Sequence, residues 1–182
     1  MGADLLGLDG CHPLISCEGT AEETIVRKLV TADALVFPSE SIIEITRKRK
    51  AKDIQSEFLN YDYEWPVCIL RVLDSKNEAF RLGTLYADRF PVRSFYTHPE
   101  VEILAIIRED EWRSWSKGHK KPSQFCKEEL RMTDIKRRDF LESYWSAESI
   151  AAAAREYKRL AKLDSGELCL ADLIRIDFAS SR

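Results

Sequence analysis

The chain has 182 residues, 45% of them hydrophobic and 32% charged, enough to build one sizeable core and enough apolar content to exclude a wholly disordered polymer. A formal net charge of -3 excludes a protein that coats nucleic acid by bulk positive charge, while leaving local basic patches open to it. Five cysteines without a Cys-x-x-Cys pair, a start without a basic signal-like region, and no apolar run of membrane-spanning length lead us to expect reduced thiols, a cytoplasmic location and no membrane.

In chain order, the first motif is Leu14-Ile15-Ser16-Cys17-Glu18-Gly19-Thr20-Ala21-Glu22-Glu23. The apolar run predicts a strand that delivers Glu18 to its carboxyl end, Gly19 allows a sharp turn, and Thr20 caps a helix whose Glu23 completes a capping box. Ligands bind at that edge of open α/β sheets, so Glu18 is a candidate metal ligand or general base; the alternative is a strand-to-helix turn whose acid faces solvent. The helix is expected over 21–29, with Ile25, Val26 and Leu29 on one face and charges on the other. An apolar run over 34–37, stopped by Pro38, is a second strand or a loop piece.

The segment Thr46-Arg47-Lys48-Arg49-Lys50-Ala51-Lys52 continues with Ile54, Phe58 and Leu59 at helical spacing, which predicts a basic helix. Arg47, Lys48, Arg49, Lys50 and Lys52 are then either a solvated face or a nucleic-acid-binding one. After Trp65-Pro66, the run Val67-Cys68-Ile69-Leu70-Arg71-Val72-Leu73-Asp74 has the profile of a central parallel strand, with Asp74 at its carboxyl end as Glu18 is at the first. A turn over 75–78 and a returning helix over 79–88 are expected next. Two acids at one sheet edge can share a divalent cation, Mg²⁺ or Mn²⁺.

A further strand is expected over 92–96, then Thr97-His98-Pro99-Glu100 and an apolar run over 101–107 broken by Glu102, an acid that must be paired, liganded or turned to a cleft. His98 is a ligand, a general acid or a hydrogen-bonded turn residue. Beyond residue 108 helix formers dominate. Trp112 and Trp115 read as packing residues, Ser123 as a helix cap, 131–144 and 147–163 as helices with Gly166 beyond the second, 168–176 as a short helix or strand, and 178–182 as a tail. The expectation is an α/β domain over 10–110 with a mostly parallel sheet flanked by helices, and a helical section over 111–182 packed on it.

The order strand-Glu18-Gly19, helix, basic segment, strand-Asp74, helix, strand and Thr97-His98-Pro99-Glu100-Val101-Glu102-Ile103-Leu104 resembles the TOPRIM domain of topoisomerases, primases and small nucleases. More narrowly, it resembles the RloB-like and abortive-infection TOPRIM proteins of prokaryotic defence loci, over 14–107. The resemblance implies that Glu18 is a metal-proximal acid or general acid/base, Asp74 the first acid of an Asp-x-Asp element, and Glu102 the later acid, so that Glu18, Asp74 and Glu102 would hold Mg²⁺ or Mn²⁺. Lys76 stands where the second aspartate would be, and its ammonium either substitutes for a cation or abolishes its binding, which makes Lys76 a third catalytic candidate. The implied activity is metal-dependent phosphodiester cleavage of nucleic acid, as the effector of an anti-phage defence system. The alternative is a catalytically degenerate subunit that binds a partner protein such as an ATPase. The oligomeric state stays open.

Overall fold

A computed structural model describes residues 2–179 of the chain. Four parallel strands, β1 (His12–Cys17), β2 (Glu44–Thr46), β3 (Val67–Leu73) and β4 (Val92–Tyr96), form one sheet in the order β2-β1-β3-β4. The helices are α1 (Gly2–Leu5), α2 (Thr20–Thr31), α3 (Ala51–Phe58), α4 (Thr84–Ala87), α5 (Ile103–Arg108), α6 (Trp112–Ser116), α7 (Pro122–Glu128), α8 (Arg138–Tyr144) and α9 (Ala147–Leu160), with 3-10 turns at Ser39–Ser41 and Leu170–Leu173. The fold is α/β with a parallel sheet flanked by helices.

β3 is central because all seven of its residues are buried, and a strand rich in Val, Ile and Leu without polar alternation is stable only with both faces covered. Period-2 alternation splits its side chains. Cys68, Leu70 and Val72 join the larger core beneath α2, α5 and α9, whereas Val67 and Ile69 join a smaller cluster with Leu14, Ile54, Leu59 and Phe90. From β1 the chain crosses to β2 on one side, while β3 pairs with β1 on the other. The carboxyl ends of β1 and β3 therefore flank the point where strand order reverses, the place where open parallel sheets form a crevice.

The helical section shares the larger core. α9 is capped by Ser146, which accepts from the Ser149 backbone N–H, and its small Ala151 and Ala154 bring it close against α5. The last segment is tied to the sheet region by hydrogen bonds from Tyr96 N–H to the Leu168 carbonyl (2.8 Å) and from Val36 N–H to the Leu173 carbonyl (2.9 Å).

Several local expectations need correction. The basic segment 47–50 is extended chain between β2 and α3, held by Ser16 Oγ donating to the Lys48 carbonyl at 2.7 Å, so only Lys52 of the five basic residues is helical. Residues 79–83 are not helical and α4 is one turn, because Phe80 stacks on the Arg71 guanidinium and Gly83 N–H donates to Gln55 Oε1. The run 34–37 forms a single antiparallel bridge, Leu35 to Ile174, rather than a strand. α8 begins only at Arg138, since Arg131 takes a positive φ of 57°, 133–136 form turns and Arg137 is extended at ψ 138°. α9 stops at Leu160, its C-cap is Ala161 rather than Gly166, and α7 starts with Pro122 while Ser123 N–H donates to the Glu100 carboxylate. The tail expected over 178–182 lies outside the described residues beyond 179. Among the described residues no helix is long and apolar enough to cross a membrane.

Candidate functional site at the strand-order reversal

Glu18 leaves the end of β1 and is tied to its neighbour strand by both backbone and side chain. Its N–H donates to the Val72 carbonyl at 3.0 Å, and its Oε2 accepts from the N–H groups of Asp74 and Ser75 at 3.0 and 3.1 Å. Its Oε1 meets the Arg49 guanidinium at 3.0 Å. Arg49 and Arg71 in turn share Glu78, at 3.2 and 3.0 Å, so an alternating chain of charges runs from the sheet interior to Glu18. Arg71 is 2% exposed, and this chain supplies its counter-charge.

Gly19, extended at φ -148°, is the N-cap of α2, so Thr20 does not cap the helix and Glu23 forms no capping box. The Glu22 carboxylate lies against Gly19 at that end of the helix. A Cβ at position 19 would stand 3.1 Å from Glu22 Oε2, so a larger residue there would displace the carboxylate. Glu102 is the N-cap of α5, buried, and paired with Lys136 at 3.4 Å.

Glu18, Glu22, Asp74 and Glu102 together line one cleft of about 230 Å³, with Gly19, Thr20 and Lys136. Burial pushes Asp74 up to about 7, and the Glu18 charge, a hydrogen bond shared with that carboxylate, and Glu22 and Glu102 push in the same direction. Burial also pushes Glu22 up to about 7, with the charges of Glu102 and Glu18 adding to it against the backbone N–H groups that favour the ion. Glu102 is raised by burial, and Lys136 works against the shift. Burial favours the neutral form of Lys136, but the charges of Glu102, Glu100 and Asp74 outweigh it and raise its pKa.

The cleft thus brings together the three acids expected from sequence, Glu18, Asp74 and Glu102. Lys76 does not join them. Its ammonium is drawn to the C-terminal loop, bonded to Glu167 at 2.7 Å and Asp164 at 3.1 Å, so the cations that face the acids are Arg49 and Lys136. Of the basic segment, Arg47, Lys48, Lys50 and Lys52 are exposed, while Arg49 is turned inward to Glu18 and Glu78. Arg47 and Lys48 line an open groove of about 640 Å³ that meets the acid cleft along Glu18, Gly19 and Thr20. His98 hydrogen-bonds through Nδ1 to the Asp74 carbonyl at 3.2 Å and, through its backbone, to the Tyr157 hydroxyl.

Two members of the site escaped the sequence argument. Glu22 stands three and four residues before Ile25 and Val26, on the apolar stripe of α2, and that register is a legible sign of a buried acid. Lys136, from the segment before α8, has no local signal at all.

Comparison of the chain with protein-family models, with curated proteins and with solved structures found no significant match. The carboxylates of the cleft suit a hard divalent cation in donor type, and Asp74 and Glu22 are raised by burial first and by their acidic neighbours second. Their spacing is wider than a ligand set needs: among the described residues no three acid, histidine or cysteine side chains stand close enough to hold a metal ion.

Proposed function

We propose that the cleft is a phosphodiester-cleaving site and the chain a TOPRIM-type nuclease, acting as an effector of anti-phage defence as the resemblance implies. One observation carries this reading. Asp74, with a proton affinity near neutrality, lies beside a Glu18 fixed by two backbone N–H groups and Arg49, at the strand-order reversal of a parallel sheet and next to an open groove whose lining includes Arg47 and Lys48.

A carboxyl group that titrates near 7 can take a proton from an attacking water or return one to a leaving oxygen. Asp74 is the residue suited to that task. Glu18 orients it, because the same Glu18 carboxylate grips the Asp74 and Ser75 backbone. Arg47 and Lys48 hold the substrate's phosphates in the adjoining groove.

The test is cleavage of labelled DNA and RNA with Mg²⁺ or Mn²⁺, alongside calorimetric titration with Mn²⁺. Glu18→Gln and Asp74→Asn are expected to lower cleavage by about 10²-fold or more with the fold retained. Activity that survives both substitutions ends the assignment. The open spacing of the acids, and Lys76 at the place of a second aspartate, favour a second reading: a subunit that has lost catalysis and binds a partner such as an ATPase. A wild-type chain that neither cleaves nor takes up Mn²⁺ but captures a partner would establish it.

A further inference from the structure

Beside the acid cleft, three arginines from three separate parts of the chain converge on one carboxylate. Glu23 Oε1 meets Arg27 Nε at 3.0 Å, and Glu23 Oε2 meets Arg138 at 3.1 Å and Arg47 Nε at 3.4 Å. Arg27 belongs to α2, Arg47 to the chain after β2, and Arg138 to the start of α8. The Glu23 side chain is 10% exposed, whereas the arginines are 47%, 57% and 47% exposed, so the acid is covered and the guanidiniums face solvent.

One carboxylate balances one guanidinium, so the hub carries two surplus positive charges. Neutralising Glu23 calls for one of the three. A half-exposed ion pair is worth about 0–1 kcal/mol, and each further arginine adds repulsion from its like-charged neighbours for little gain. Much of the donor capacity also remains unused. Arg27 donates besides to the Ile45 carbonyl and Arg47 to Thr20 Oγ1, yet each guanidinium has five N–H groups in a fork that matches phosphate oxygens.

The position of the hub decides the class of anion. On one side Arg27, Lys28 and Arg138 outnumber Glu142 and Glu148 in the lining of an open groove of about 710 Å³; on the other Glu23, Arg47 and Lys48 line the open groove of about 640 Å³ that reaches Glu18. A free phosphate or nucleotide is held by an enclosing pocket, while a ridge of arginines between two open grooves suits an extended polyanion. We propose that Arg27, Arg47 and Arg138, gathered by Glu23, grip the phosphodiester backbone of a nucleic-acid strand that runs between these grooves and on to Glu18. This rests on the reading of the cleft as a phosphodiester site, and adds to the basic segment two arginines that no local sequence pattern connects with it.

The test measures fluorescence anisotropy of labelled single-stranded DNA, single-stranded RNA and duplex DNA with the full chain carrying Glu18→Gln, over a range of NaCl concentrations without divalent cations. Arg27→Gln with Arg138→Gln is expected to weaken binding about tenfold and to flatten the dependence of log Kd on log salt by about 2, roughly 0.9 for each phosphate that is no longer neutralised. Glu23→Gln, which removes an acid and no cation, is expected to tighten binding severalfold. Should the arginine pair be needed for folding, as its melting curve would show, the Glu23→Gln result decides alone. Unchanged affinity and slope in the folded variants, while the parent binds, overturn the hub and leave the cleft intact. A parent that binds none of the three probes overturns both. Cleavage by the chain with native Glu18 separates the cases independently, because a true active site with an idle hub keeps its KM when Arg27 and Arg138 are replaced.

Discussion

Glu22 and Glu23 are consecutive residues in the first turn of α2, both nearly out of solvent, and their surroundings differ by three arginines. Glu23 points to Arg27, Arg47 and Arg138. Glu22 points into the acid cleft, where burial and the charges of Glu102 and Glu18 bring its titration up to about 7. The same contrast recurs at the end of β3. Glu78 lies between Arg49 and Arg71, while Asp74, four residues earlier, is left beside Glu18 and titrates near 7. A buried carboxylate compensated by guanidiniums holds the fold together. One left undercompensated stores unfavourable energy that a proton, a cation or a substrate can relieve, which is the pattern of a working site.

The largest expected effect comes from breaking the compensated set. Glu78→Ala leaves the 2% exposed Arg71 without its carboxylate and should cost about 3 kcal/mol, or about 10 °C in Tm, measured by thermal denaturation at neutral pH. Glu22→Gln should act in the opposite sense, raising stability by about 2 kcal/mol at pH 8 and by nothing at pH 4, where the native acid is already protonated. Glu23→Gln should lower Tm at both values, since it strips three arginines of their partner. If the two neighbours respond alike, the contrast is wrong.

Asp74→Asn should follow Glu22→Gln with a smaller gain, because Asp74 is only half-buried. The sign comes from linkage. Both acids bind their proton more tightly in the folded chain, so their favourable contribution is complete below about 4 and is lost as pH rises towards and through about 7. Chemical denaturation across that window should therefore show stability falling with pH in the parent and a flatter profile in Asp74→Asn. Mn²⁺ at pH 8 should recover stability in the parent if the cleft takes the cation. The smallest effect is expected for Lys76→Ala. With its ammonium held by Asp164 and Glu167, its removal should leave the titration of Asp74, followed by carboxyl NMR, where it was.

Much of the sheet could be read from local pattern. Val67 to Leu73 declared a doubly covered strand by its apolar continuity, and Glu18 and Asp74 followed as acids at strand ends, because a strand's residues and their order are local information. Irregular segments were less legible. The basic segment has helical spacing on paper, yet Ser16 and the pairing of β2 with β1 hold it extended, and the expected helix over 79–88 yields to the contacts of Glu78 and Phe80 with Arg71. In both cases a tertiary partner outweighs a weak intrinsic preference.

By itself, the sequence determined the alternation of strands and helices, the parallel central strand, and the presence of acids at two carboxyl ends, since these depend on periodicity and on the conformational habits of Gly, Pro and apolar runs. Only the tertiary structure decided which charges compensate which. It sent Lys76 away to the C-terminal loop, brought Lys136 to Glu102 and Arg138 to Glu23 across more than thirty and more than a hundred residues of chain, and turned Glu22 inward and its neighbour towards arginine. Coulomb energies and desolvation depend on distance and burial in space, and no spacing along the chain encodes either until the sheet and its helices have packed.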